Sequence, residues 1–366
     1  MGSGMNTVGP LVDAAWLGAH LGDPRLRVID FRWLQGQPGR AGYEAGHIPG
    51  AVFVDLEAEG LSGHRVGGGR HPLPERHAFE AAMRDAGVDR DGTVVVYDDQ
   101  HGFTACRLWW TLRYFGHDAV AVLDSGLAGW PGALPTGPHS VPRGDFVATE
   151  PRTSMKVEYE GVRDLPGGCV LLDARGPERY RGEVEPTDPR AGHIPGAFSA
   201  PWGGNLDGAG RFKGPDELVR RFRDLRVDDG GDVVAYCGSG VSACVNLLAL
   251  ELAGLTGARL YPGSWSDWST RPDAPVATGR RDPSSRRDLL ENAPGLTDEP
   301  RDAATRRIGR PDPKIVGVAD GDAQGAGKAR NNAGHNREHH RAEGVEEPRE
   351  KAAGQTAARQ VGDNRG

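Results

Sequence analysis

Aromatic residues stop early in this sequence. The last Phe is Phe222, the last Tyr is Tyr261 and the last Trp is Trp268, although the chain runs to residue 366. Arg, Asp, Glu, Gly, Ala and Asn dominate the remainder of the chain, and such a stretch buries too little apolar surface to offset the entropy of ordering it. Residues 279–366 are therefore expected to form a disordered tail outside any core. Cysteine is scarce as well, with four residues and no close CxxC pair. That excludes clustered zinc sites and fits a reducing, cytoplasmic setting. No window approaches about 18 consecutive apolar residues, so no spanning helix is expected. Met1 to Asn6 lack the basic start and apolar centre of a signal peptide, and Asn6 is a poor sixth residue for myristoylation. Basic charge is not in excess, since the formal net charge is −7. Local runs such as Arg220-Arg221-Phe222-Arg223 read as solvated helix faces. A soluble protein is expected, with neither nucleic acid nor membrane as partner.

What is present is a duplication. Ala-Gly-His-Ile-Pro-Gly-Ala occurs at Ala45 to Ala51 and again at Ala191 to Ala197. Upstream lie Val28-Ile29-Asp30 and Leu171-Leu172-Asp173, each read as a short buried strand ending in Asp. Downstream come Val94-Val95-Val96-Tyr97 and Val233-Val234-Ala235-Tyr236, then helices opening near Thr104-Ala105-Cys106 and Ser242-Ala243-Cys244. Strands alternating with helices imply two α/β domains, each a mostly parallel sheet with helices on both faces. The expected division is 8–135 for the first domain, 136–155 for a linker, 156–278 for the second domain and 279–366 for the tail. The Pro- and Gly-rich run from Pro131 to Phe146 is expected to wrap the outside as an extended connector.

Cys237 stands where an apolar strand runs into Cys-Gly-Ser-Gly-Val-Ser and then a helix. A loop of this kind gathers backbone N–H groups around one point, and a thiol placed there is expected to be acidified and reactive. Gly238 and Gly240 let the backbone curl tightly. The first half has Asp98 to Thr104 at this place, one residue longer and without a thiol, so only the second half is expected to do chemistry. Ligands in such sheets bind beyond the carboxyl ends of the strands.

With these residues in view, the chain resembles the tandem-domain rhodanese sulfurtransferases, which include the thiosulfate and 3-mercaptopyruvate enzymes. The resemblance runs from about Val8 to Arg271. It rests on the two GHIPGA segments, the Cys237-Gly-Ser-Gly-Val-Ser-Ala243 loop and Gly263-Ser-Trp-Ser-Asp-Trp268. It implies an inactive first domain and a catalytic second one. It also implies that Cys237 takes a sulfane sulfur from a small-molecule donor, holds it as a persulfide and passes it to cyanide or another thiophilic acceptor. Small thiols or a protein thiol such as thioredoxin are implied as acceptors, and no metal or organic cofactor is needed. Gly238, Ser239, Gly240, Val241, Ser242 and Ala243 would cradle the anion. Arg179, in Glu178-Arg179-Tyr180-Arg181-Gly182, matches a family arginine that binds the anionic donor. The loop is similar to that of mercaptopyruvate enzymes. A second donor-binding arginine often found farther along is out of register here, with Arg190 nearby, so thiosulfate stays open as donor.

Other readings of the same residues are weaker. In the Cys-x5-Arg layout of phosphatases the arginine would fall at Ala243. A rhodanese-type module used only for binding would not need the thiol. Ser239 could hydrogen-bond a donor or merely steady the loop. Cys244, reckoned as about two helical turns and roughly ten ångströms of rise from Cys237, is too far for a disulfide and reads as a core residue. His47, His193, Asp30 and Asp173 recur in both halves and read as structural, and Trp265 and Trp268 as core. His335, His339 and His340 could bind a metal adventitiously.

Overall fold

Val94, Val95 and Val96, and their counterparts Val233, Val234 and Ala235, are buried. Continuous apolar strands of this kind need helices on both sides of a parallel sheet, and the chain supplies them twice. The computed structural model describes residues 8–33, 39–58, 60–62 and 68–280, all within one compact unit. Of the expected disordered tail 279–366, residues from 281 onward lie outside the described residues, as does the patch of His335, His339 and His340, whereas the Gly279 N–H donates to the Arg181 carbonyl at 2.8 Å.

The first half runs β1 (Leu11–Val12), α1 (Ala14–His20), β2 (Leu26–Asp30), α2 (Gly39–Ala45), β3 (Val52–Phe53), α3 (Arg76–Asp85), β4 (Thr93–Tyr97), α4 (Ala105–Tyr114) and β5 (Val120–Leu123). The second runs α5 (Tyr159–Arg163), β6 (Val170–Asp173), α6 (Pro177–Tyr180), β7 (Phe198–Ser199), α7 (Pro215–Asp224), β8 (Val233–Tyr236), α8 (Ala243–Leu252), β9 (Arg259–Leu260) and α9 (Ser264–Trp268). The sheets have the orders β1-β5-β4-β2-β3 and β7-β6-β8-β9, parallel throughout. With β2, β3, β4 and β5 matched to β6, β7, β8 and β9, the orders coincide. A lone parallel bridge between Lys156 and Leu260 stands where β1 pairs with β5. Two α/β domains with parallel, helix-flanked sheets are therefore what the sequence led us to expect. In each, the order reverses between β2 and β4, or β6 and β8, which places a binding crevice beyond their carboxyl ends.

The repeated GHIPGA segment closes one edge of that crevice in both halves. His47 Nδ1 lies 3.1 Å from the Tyr43 carbonyl and His193 Nδ1 2.7 Å from that of Tyr180. Each ring stacks on the same tyrosine. The Ile48 and Ile194 N–H groups donate to the hydroxyls of Tyr97 and Tyr236. Asp30 and Asp173 pair with Arg32 and Arg175, whose Nη2 atoms reach the carbonyls of Gly46 and Gly192. These buried groups tie a strand end to the turn and consume one another's hydrogen bonds, so they are structural in both halves.

α4 and α8 pack against each other and join the two halves. In α8 every residue from Ala243 to Leu250 is buried, and in α4 every residue from Ala105 to Leu112, the charged Arg107 included. A helix covered all round needs neighbours on every side, and here each helix gives cover to the other. Between residues 130 and 152 the chain has neither helix nor strand. Phe146 pins this run to the first core beside Phe79 and His117.

Candidate active site

Cys237 follows the last residue of β8 and is 1 % exposed. Its Sγ accepts the Gly240 N–H at 3.1 Å, and its own N–H donates to Ser264 Oγ at 3.1 Å. The loop residues Gly238 to Ser242 curl from β8 to the start of α8, so the seven residues from Cys237 to Ala243 form one continuous turn. Gly240 has φ +75°, and a Cβ there would lie 2.6 Å from the Pro262 carbonyl oxygen and 3.0 Å from Arg107 Nη1. Only glycine fits. The α9 segment clamps the loop from the other side, with the Trp265 and Ser266 N–H groups donating to the carbonyls of Cys237 and Gly238. Ser264 holds a left-handed φ of 53° while its hydroxyl bridges Cys237 N–H and the Tyr261 carbonyl.

The matching loop of the first half shows what this turn is built to hold. Asp98 occupies the place of Cys237 after β4. Its Oδ1 accepts the N–H groups of Gln100 and Gly102, and its Oδ2 those of Thr104 and Ala105, at 2.7–2.9 Å. The duplicate loop is thus an anion cradle filled by its own carboxylate. In the second half a thiol stands at the mouth of the cradle. The N–H groups of Ser239, Val241 and Ser242 have no acceptor among the described residues.

Three groups from the first half complete the site. His71 Nδ1 lies 2.8 Å from Ser239 Oγ. Burial, helped by Arg107 and Arg70, lowers the His71 ring to about 3, so the ring is neutral and its 3.8 Å approach to Glu57 is not an ion pair. Arg107 donates through Nη1 to the Gly240 carbonyl at 2.8 Å and through Nη2 to the His71 carbonyl at 2.9 Å. Burial lowers the pKa of its guanidinium, and the two thiols Cys244 and Cys237 act in the opposite direction. Arg70, its N–H fixed on Ser266 Oγ at 3.0 Å, extends toward Gly238.

Arg179, on α6, reaches the same loop. A Cβ on Gly238 would lie 3.0 Å from Arg70 Nη2 and 3.5 Å from Arg179 Nη1. Arg179 pairs with Glu185 at 2.7 Å and with Asp188 at 3.3 Å, and Asp188 pairs also with Arg70. Burial pushes the Asp188 carboxyl up, and Arg70 pulls it back. Arg190 is not part of the cluster: its guanidinium donates to the carbonyls of Trp268, Ser269, Arg271 and Ala274. Trp265 and Trp268 are buried core residues.

The structure corrects one distance. α8 begins only at Ala243, so the separation of Cys237 and Cys244 is not a helical rise. The loop folds back, and Gly240 bonds to both sulfurs: its N–H donates to Cys237 Sγ and its carbonyl accepts from Cys244 Sγ at 3.5 Å. Both cysteines are free. Burial pushes the Cys244 thiol up to about 12, which keeps it protonated. Sequence reasoning missed Arg70, His71, Arg107 and Ser264. The available signals were a charge inside the apolar run of α4 and the Gly69-Arg70-His71-Pro72 segment.

With this geometry in hand, comparison with known proteins is direct. The rhodanese-like domain family matches residues 13–133 and 160–271. A probable 3-mercaptopyruvate sulfurtransferase from Pseudomonas aeruginosa is 46% identical over 279 residues, covering 74% of this chain and 98% of that protein. A putative thiosulfate sulfurtransferase from Mycobacterium tuberculosis is 44% identical over 282 residues, covering 74% and 97%. The crystal structure of SseA from Escherichia coli, described as a 3-mercaptopyruvate sulfotransferase with the rhodanese fold, superposes with a TM-score of 0.63 at 37% identity, over 71% of this chain and all of that one. The chain belongs to the tandem-domain rhodanese family of sulfurtransferases.

Proposed function

We propose that the protein moves a sulfane sulfur from 3-mercaptopyruvate or thiosulfate to a thiophilic acceptor through a persulfide on Cys237. The observation that carries this reading is the pair of equivalent loops, one closed on the Asp98 carboxylate and the other presenting the Cys237 sulfur to the same turn. A fold that holds an anion by backbone N–H groups at this point can hold a thiolate, and then a persulfide anion, by the same groups.

In the first half-reaction the Cys237 thiolate attacks the donor sulfur and an S–S bond forms. With 3-mercaptopyruvate the C–S bond breaks, and the donor's thiol proton ends on the released carbon, giving pyruvate. With thiosulfate the S–S bond of the donor breaks and sulfite leaves. In the second, the acceptor takes the outer sulfur and the Cys237 thiolate returns, as ping-pong kinetics require. Cyanide yields thiocyanate, and small thiols or a protein thiol such as thioredoxin are the proposed cellular acceptors. Arg179 anchors the donor anion, and Gly238, Ser239, Gly240, Val241, Ser242 and Ala243 form the cradle. His71 fixes the hydroxyl of Ser239, which orients that group toward the loop mouth. We assign the nucleophile and its cradle to the domain 156–278, whereas 8–135 carries no nucleophile of its own and 136–155 lies between them. Four free cysteines suit a reducing cytoplasm, and among the described residues no helix is long and apolar enough to cross a membrane.

The test compares kcat/KM for 3-mercaptopyruvate and thiosulfate with cyanide as common acceptor, beside Cys237→Ser. Turnover that vanishes in the variant, with one sulfur atom of added mass on wild-type Cys237 after donor alone, is the expected result. Turnover retained in Cys237→Ser would overturn the mechanism, and turnover of neither donor by the wild type would leave a binding module.

A further inference from the structure

Two guanidinium groups converge on the residue after the thiol, and they come from opposite halves of the chain. Arg179 belongs to α6, whereas Arg70 is contributed by the first domain, across the crevice. Both lie over Gly238, where a Cβ would press on Arg70 Nη2 at 3.0 Å and touch Arg179 Nη1 at 3.5 Å. Neither is bare: the two oxygens of Asp188 are divided between them, Oδ1 to Arg70 and Oδ2 to Arg179. Asp188 is 4 % exposed at its side chain, and the arginines 30 % and 23 %. A buried carboxylate is thus held under two cations that themselves reach solvent. Beside them opens a cavity of about 440 Å³ lined by Gly69, Arg70, Thr187, Asp188, Ser266 and Thr270, among others.

The other acidic partner has a different task. Glu185 joins Arg179 to Arg175 and accepts the N–H groups of Thr187 and Asp188. It builds the turn on which Asp188 sits, and it shares Arg179 Nη2 with Asp188. The three arginines, Arg70, Arg175 and Arg179, are matched by Asp173, Glu185 and Asp188. An anionic donor entering this balanced cluster adds a negative charge that no further cation meets. Replacement of one carboxylate by another keeps the balance.

We propose that Arg70 is a second donor-binding residue and that Asp188 is a built-in stand-in for the donor's carboxylate, displaced when the donor binds; this rests on the sulfur-transfer reading above. The arrangement specifies the donor class. Guanidinium groups bind planar and tetrahedral oxyanions alike, but the group they share here is a planar carboxylate, the template of an α-keto carboxylate donor such as 3-mercaptopyruvate, and the tetrahedral end of thiosulfate has no such counterpart in the cluster. Arg70 supplies from the first domain the cation that the segment after Arg179 lacks, since Arg190 is spent on four carbonyls.

The experiment measures donor and cyanide KM and kcat, together with Tm, for wild type, Arg70→Met, Arg70→Lys and Asp188→Asn. Arg70→Met is expected to raise the 3-mercaptopyruvate KM about 10- to 100-fold, the loss of one charge-assisted contact, with a smaller rise for thiosulfate and no change for cyanide. Arg70→Lys should recover part of it. Asp188→Asn is expected to lower the 3-mercaptopyruvate KM, because the competing carboxylate is gone. An unchanged donor KM in Arg70→Met with losses confined to Tm and kcat, or a raised donor KM in Asp188→Asn, would make the cluster a structural brace and overturn the proposal. Wild-type turnover separates the two levels: if neither donor reacts, the sulfur-transfer reading falls and this one with it, whereas turnover with Arg70-independent KM removes this one alone.

Discussion

Arg107 of the first domain donates to the carbonyl of Gly240 in the second at 2.8 Å, and the N–H of that same glycine donates to Cys237 Sγ. The single residue Gly240 therefore lies between a buried cation and the proposed nucleophile. No carboxylate pairs with Arg107 among the described residues, and its Nε has no partner. A lone buried cation is costly unless an anion is part of its working state, and the cradle supplies one when the sulfur is ionised.

Arg107→Met should therefore lower kcat by about 10²-fold, the scale of losing one preorganised electrostatic contact to a developing anion. Alkylation of Cys237 by iodoacetamide at fixed pH should slow in the same variant. Arg107→Lys should keep part of both rates. Equal losses in the two variants would show that hydrogen-bond geometry alone matters and that the charge does not.

These relationships explain what could be read from the sequence and what could not. The Cys237 loop was legible because strand, glycines and helix start are adjacent in the chain. The GHIPGA duplication was legible because both copies are the same unbroken run of residues, Ala45 to Ala51 and Ala191 to Ala197. Arg70, His71 and Arg107 were not, because His71 meets Ser239 across 168 residues and Arg107 meets Gly240 across 133. Pairings at that distance leave no periodicity. Strands β3, β7 and β9 have two residues each, too short for an alternation pattern to form. The missing thiol of the first half was visible in the sequence; that Asp98 fills the cradle itself was visible only in the fold.

Asp98 leads to a prediction that separates the two loops. Its carboxylate is fully buried and accepts four backbone N–H groups. Asp98→Ala should orphan all four and cost about 3–5 kcal/mol of stability, as breaking a buried charge network does. Chemical denaturation reads that loss. The variant that remains folded should keep the kcat of the wild type, because the proposed chemistry belongs to the Cys237 loop; a large fall in kcat per folded molecule would contradict the division of labour.

His71 makes stability depend on pH in a definite direction. Its folded ring titrates near 3, whereas an unfolded histidine titrates near 6.5. Between those values the unfolded chain binds the extra proton, so the stabilisation is complete above about pH 6.5 and is lost as pH falls toward 3, at up to about 1.4 kcal/mol per pH unit from this group. Urea midpoints at pH 7 and pH 5 should differ more in the wild type than in His71→Asn, which cannot take up the proton. Equal differences in the two proteins would mean that the folded ring is protonated near its ordinary pH.

Cys244 tests the reach of the chemistry. Its thiol donates to the Gly240 carbonyl, which also accepts from Arg107, whereas the N–H of that residue donates to Cys237 Sγ. A thiol with its pKa pushed up to about 12 is a poor attacking group at neutral pH, because only the thiolate attacks. Cys244→Ala should therefore retain most of the wild-type kcat and lose about 1 kcal/mol of stability or less, the cost of a small buried sulfur and a weak bond. If Cys244 instead resolved an oxidised Cys237, the variant would still turn over in reducing buffer but would fail to recover after brief peroxide treatment and added thioredoxin. Equal recovery of variant and wild type is expected, since burial keeps Cys244 in the unreactive thiol form.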